Sequence, residues 1–155
     1  MTDTIFARII RREIPATIVY EDDDVLGFKD IAPQAPVHVL FIPKHGAIPT
    51  LDDVRPDQAA LVGKLVLAAA EYARREGFAE DGYRVVMNCR EHAGQTVFHI
   101  HLHLLAGAPL GRFGTPSRPH TGPKEKAARG RLFSCGEGDA YHQPQRPQRG
   151  PQKGS

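Results

Sequence analysis

A chain of 155 residues, 41% hydrophobic and 25% charged, can bury one substantial core and is short for two. Residues 1–106 carry 11 Lys and Arg against 15 Asp and Glu, and residues 107–155 carry 9 against 3, so the formal net charge of +2 belongs to the tail. That balance excludes an electrostatic case for specific nucleic-acid binding by the first part. Cys89 and Cys135 make no disulfide framework and suit a reducing compartment. No apolar run approaches the roughly 18 residues of a membrane span, and Met1-Thr2-Asp3-Thr4 does not open a secretory signal. A soluble, cytoplasmic protein with no membrane partner is the expectation.

In chain order, Thr4 precedes Ile5-Phe6-Ala7-Arg8-Ile9-Ile10-Arg11-Arg12, whose apolar positions predict a short amphipathic helix running out toward Pro15. Thr17–Glu21 and Val25–Lys29 read as a hairpin around the turn Asp22-Asp23-Asp24, which lacks the ligand spacing of a calcium loop. A Pro-punctuated loop, Asp30 to Pro36, leads into a third strand, Val37–Ile42, ended by Pro43. Leu61, Leu65, Ala68 or Ala69, and Tyr72 recur at helical spacing between about Pro56 and Glu76, and Gly77 stands where a C-terminal cap belongs. Asp81-Gly82 turns into a fourth strand, Tyr83–Asn88, and Cys89 to Gln95 is a polar loop. Residues 1–111 are thus expected to form one α+β domain, an antiparallel sheet of about five strands with one short and one long helix. The last 49 residues hold 9 Gly and 7 Pro without hydrophobic periodicity. Residues 112–155 are expected to be a disordered Pro/Gly/Arg-rich tail.

The fifth strand carries the chemistry. His99-Ile100-His101-Leu102-His103-Leu104-Leu105 alternates with period two, so three imidazoles line one face and Ile100, Leu102 and Leu104 anchor the other. Neighbouring imidazoles on such a strand stand roughly 6.5–7 Å apart. Four readings compete: packing alone; a zinc site completed by His38, His45 or His92; nucleophilic attack by a neutral imidazole on phosphorus; or a nucleotide-binding module without turnover. For the third, one ring is the nucleophile while its neighbours fix its tautomer and donate to phosphate oxygens.

His-φ-His-φ-His-φ-φ, with φ apolar, is the signature of the histidine triad superfamily, and residues 99–105 match it throughout. Further stretches resemble its Hint branch: Arg12-Glu13-Ile14-Pro15-Ala16, Phe28-x-Asp30-Ile31-x-Pro33-Gln34-Ala35-Pro36-x-His38, Gly82-Tyr83-Arg84 with Asn88, and Gly94-Gln95-Thr96-Val97. The resemblance implies a hydrolase of purine nucleoside phosphoramidates and acyl-nucleotides that acts at the α-phosphorus without a cofactor or metal. His101 would be the nucleophile, His99 would orient the network, His103 would hydrogen-bond the phosphate or leaving group, and His38 would support them. Phe6, Ile9, Phe28 and Ile31 would wall the purine, Asp30 would accept from the ribose hydroxyls, and Asn88, Gly94 and Thr96 would meet the phosphate side. The family also implies a homodimer. A dinucleoside polyphosphate hydrolase or a non-catalytic purine-nucleotide-binding regulatory module is the alternative. The chain departs from the family pattern after Gly111, where an Arg/Pro/Gly-rich tail replaces the usual short ending and leaves the leaving-group preference open.

Overall fold

The structure, a computed structural model, describes residues 3–114. The expected tail lies outside the described residues from residue 115 onward. Helix α1 spans Ile5–Ile10, strands β1 to β3 span Ile18–Glu21, Val25–Lys29 and Val37–Pro43, helix α2 spans Ala59–Arg75, and β4 and β5 span Arg84–Val86 and Leu102–Ala106. The strands form one antiparallel sheet in the order β1-β2-β3-β5-β4. Among the described residues no helix is long and apolar enough to cross a membrane.

Local chemistry sets the boundaries. The Thr4 hydroxyl accepts from the Ala7 N–H at 3.1 Å and caps α1. Both the Asp24 and Val25 amides donate to one Asp22 carboxylate oxygen, at 2.8 and 2.7 Å, which closes the β1–β2 turn. Gly77, at φ +83°, ends α2 in a Schellman motif: its N–H donates to the Arg74 carbonyl and the Phe78 N–H to that of Ala73. Pro56 opens a 3-10 turn one step before α2 proper, so the α-helix itself starts at Ala59.

Each face of the sheet has its own cover. Val25, Val39, Phe41, Leu102 and Leu104 pack with Ile100 against Leu65, Ala68, Ala69, Tyr72 and Ala73 of α2. Leu26, Phe28, Leu40 and Ile42 pack on the opposite side against Phe6 and Ile9 of α1. Each fully buried large apolar side chain contributes roughly 1.5–3 kcal/mol, so the period-two alternation fixes which face α1 can cover. Gly27 lies directly opposite Phe41 in the ladder, and a Cβ there would stand 2.9 Å from the Phe41 ring and from the Tyr20 Cβ. The core is closed around that bare backbone.

Candidate active site

The histidines lie on the face covered by α1, and the ladder accounts for the first contact. His38 pairs with Leu105 and Leu40 with His103, which makes His38 and His103 diagonal neighbours on that face. Their rings approach to 5.1 Å between centroids, with His38 Nε2 2.8 Å from His103 Nδ1. The Gln34 N–H donates to His38 Nδ1 at 3.0 Å, so that nitrogen is unprotonated and the ring's proton is on Nε2. His38 Nε2–H then donates to His103 Nδ1, and the His103 proton is on Nε2. Among the described residues His103 Nε2 is the one buried side-chain polar atom without a hydrogen-bond partner. Asp30 stands beside the pair, with Oδ2 3.4 Å from His38 Nε2 while Oδ1 accepts from the Ala32 N–H at 2.8 Å.

The other two histidines precede the ladder. The sequence predicts a strand from His99, whereas β5 begins at Leu102. Residues 99–101 keep the alternation of faces, but their backbone partners are not a strand: the Ile100 N–H donates to the Ile48 carbonyl at 2.9 Å. The His99 carbonyl is taken by a side chain, since His101 Nδ1–H donates to it at 2.7 Å. This leaves the His101 lone pair on Nε2. His99 in turn donates from Nε2 to the Pro43 carbonyl at 3.0 Å, and its Nδ1 faces the Thr4 hydroxyl at 3.5 Å. The Phe6 ring meets His99, His101 and Phe28 edge-on, at centroid distances of 6.1, 5.0 and 5.4 Å.

Burial depresses all four imidazole pKa values. For His38, His99 and His101 desolvation is the leading cause, opposed at His38 by the Asp30 carboxylate and at His99 and His101 by their backbone hydrogen bonds. His103 is pushed down to about 4 by desolvation, with the neighbouring His101 and His38 adding to the shift. All four rings are therefore neutral at pH 7, which keeps a lone pair on His101 Nε2 and a proton on His103 Nε2.

Both rings line a cavity of about 320 Å³. Of the residues assigned by resemblance, Phe6, Ile9, Phe28, Asp30 and Ile31, from α1, β2 and the chain after it, line it together with Asn88, Gly94 and Thr96, from the segment between β4 and β5. Ile31 is 96% exposed and so forms part of the mouth. His38 and His99 stand behind the lining; His99 borders a separate depression with Thr4, Ala7 and Phe98. The sequence reading missed Ile5, Ile14, Pro15, Ala16, Lys29, Leu40 and Val97, which also line the cavity. Leu40 could have been found, because the strand alternation already puts it on the histidine face. Ile14 to Ala16 follow α1 as irregular chain and carry no periodic signal.

Of the histidines that could complete a zinc site, His45 is exposed and lies 2.8 Å from Asp24, and His92 is exposed on a 3-10 turn. Donor atoms of Asp30, His38 and His103 do come within 4.8 Å of one another. The two ring nitrogens at 2.8 Å are set for a hydrogen bond. Two nitrogens sharing one tetrahedral zinc would spread to about 3.3 Å.

Comparison with known proteins follows the same lines. The family model described as HIT domain matches residues 11–110. The purine nucleoside phosphoramidase of Escherichia coli K12 is 55% identical over 109 residues, which cover 70% of this chain and 91% of that protein. A HIT family hydrolase from Legionella pneumophila superposes with a TM-score of 0.67 at 47% identity, covering 69% of this chain and 95% of that one. A histidine triad protein from Clostridium difficile does so with a TM-score of 0.70 at 40% identity, covering 73% and 97%.

Proposed function

The chain belongs to the HIT domain family, and from that premise we propose that it hydrolyses purine nucleoside phosphoramidates and acyl-nucleotides at the α-phosphorus through His101. One observation carries the reading. A neutral imidazole with its Nδ1 proton held by the His99 carbonyl lines a cavity of about 320 Å³, next to the unpartnered Nε2–H of His103. That volume falls within the range of small-molecule sites, roughly 300–1,000 Å³.

His101 Nε2 forms a bond to phosphorus as the bond from phosphorus to the leaving nitrogen breaks, and that nitrogen departs as an amine carrying a proton taken up from solvent. The His101 Nδ1–H stays on the His99 carbonyl, so the nucleotidylated ring carries positive charge and is a good leaving group. Water then attacks phosphorus and gives a proton back to solvent, the P–Nε2 bond breaks, and nucleoside monophosphate leaves with neutral His101 restored. His103 Nε2–H donates to a phosphoryl oxygen or to the departing group. Asp30 accepts from the ribose hydroxyls, and Phe6, Ile9 and Phe28 wall the purine. None of these steps uses a metal.

Incubation with adenosine phosphoramidate is expected to release adenosine monophosphate at the same rate with and without EDTA. Activity lost to EDTA and restored by zinc would move the chemistry to a metal. Faster turnover of diadenosine polyphosphate would favour the polyphosphate branch, and tight purine nucleotide binding without any turnover a regulatory module.

A homodimer is part of the same proposal. Val66 and Leu67 on α2 and Val85 on the edge strand β4 are exposed large apolar residues, a surface suited to a second copy. Sedimentation equilibrium at micromolar concentration is expected to give twice the chain mass; a single-chain mass would remove the dimer.

A further inference from the structure

Thr96 and Gly94 line the cavity, but the residue between them does not. Gln95 is turned the other way and is 5% exposed. Its carboxamide is fully engaged: Nε2 donates to the Pro49 carbonyl at 2.8 Å and to the Val97 carbonyl at 3.1 Å, and Oε1 accepts from the Arg90 N–H at 2.8 Å. The Gln95 backbone N–H donates back to the Arg90 carbonyl at 3.0 Å, closing a ring around the loop. Arg90 has φ +64° and ψ −172°, a backbone region left almost entirely to glycine. A chain held there for no gain would relax, and the Gln95 carboxamide is what binds the Arg90 N–H in that conformation. Through Pro49 the same side chain ties the loop to the segment whose Ile48 carbonyl holds the Ile100 backbone between His99 and His101. One buried amide thus braces the stretch of cavity lining that carries Gly94 and Thr96 and the approach to the histidines together.

We propose that Gln95 is a positioning residue for the phosphoryl group: it touches no substrate, and it holds the 88–96 loop and the 99–101 segment in register. The inference rests on the phosphoryl chemistry proposed above and deepens it. It separates two parts of one ligand. The purine side is built from α1 and β2, with which Gln95 makes no hydrogen bond, whereas the phosphate side is built from the loop it braces.

The test compares adenosine with adenosine monophosphate on the intact protein and on Gln95→Glu and Gln95→Met. Glu keeps the length and the acceptor for the Arg90 N–H but cannot make both donations; Met keeps the length and makes none. Folding of each variant is checked by its thermal transition. Both variants are expected to bind adenosine as the parent does, to lose most of the extra affinity that the phosphate confers, and to lose roughly 10–100-fold in kcat on adenosine phosphoramidate. If Met prevents folding, the Glu variant carries the comparison. Variants that melt earlier yet keep the parent's monophosphate-to-adenosine affinity ratio and its kcat would overturn the proposal and leave Gln95 a packing residue. A parent protein that binds the monophosphate no better than adenosine would overturn the phosphoryl reading itself, and this proposal with it.

Discussion

His101→Ala is expected to lower turnover of adenosine phosphoramidate by roughly 10⁴- to 10⁶-fold, since removal of a covalent nucleophile leaves only binding and electrostatic stabilisation of the transition state. In activation free energy that is about 5–8 kcal/mol. The figure can be this large because no neighbour can take over. His103 Nδ1 is committed to His38, and His99 is held from Nε2 by the Pro43 carbonyl and stands outside the cavity lining. The ring is buried, and its loss removes an edge contact with Phe6, so the variant will also melt earlier. Activity is therefore compared below both transitions. Two further readouts separate chemistry from collapse. Nucleotide binding is expected to survive, because Phe28 and Asp30 are untouched. Mass spectrometry of the parent protein, quenched during turnover, is expected to find a nucleotidyl group on residue 101 that the variant lacks. An alanine variant with undiminished turnover would exclude the covalent route.

What the sequence made legible was whatever repeats locally. The alternation from His99 to Leu105 placed three imidazoles opposite Ile100, Leu102 and Leu104, and those apolar residues do face α2. Thr4 before an amphipathic run and Gly77 after one marked real caps. The five strands and two helices followed from such signals. Contacts between distant segments were not legible. Strand pairing starts at Leu102 because the backbone at Ile100 is used by Ile48 and the His99 carbonyl by the His101 ring, and no local pattern encodes either bond. The tautomers were equally hidden. They depend on Gln34, Pro43 and the diagonal placement of His38 beside His103, which only the sheet register creates. Gln95 sits inside the Gly94–Val97 stretch, but nothing local points to Pro49, 46 positions away, as the partner of its carboxamide.

Lowering the pH from 7 toward 4 is expected to destabilise the fold well before its carboxylates titrate. The four imidazoles have native pKa values below the ordinary 6.5, His103 near 4. Between the native and unfolded values the unfolded chain binds protons that the folded chain refuses. Stability is then fully present above about pH 6.5 and lost as pH falls through that window, by up to about 1.4 kcal/mol per pH unit for each such histidine. The carboxyls of Glu13, Asp22, Asp24 and Asp57 are also depressed. They act in the same direction, but only as pH falls below the ordinary carboxylate range near 4, so the two windows are separable. Urea midpoints measured from pH 7.5 to 4.5 are thus expected to fall steadily below about 6.5, and His103→Gln, with one titrating ring removed, is expected to flatten the slope. Catalysis follows a different course over the same interval. The depressed pKa of His101 keeps its nucleophilic nitrogen unprotonated below pH 6.5, so kcat holds into a range where the fold is already weakening. A stability profile flat down to pH 5 would mean that the rings accept protons in place, and the neutral hydrogen-bonded chain from Gln34 through His38 to His103 would have to be abandoned.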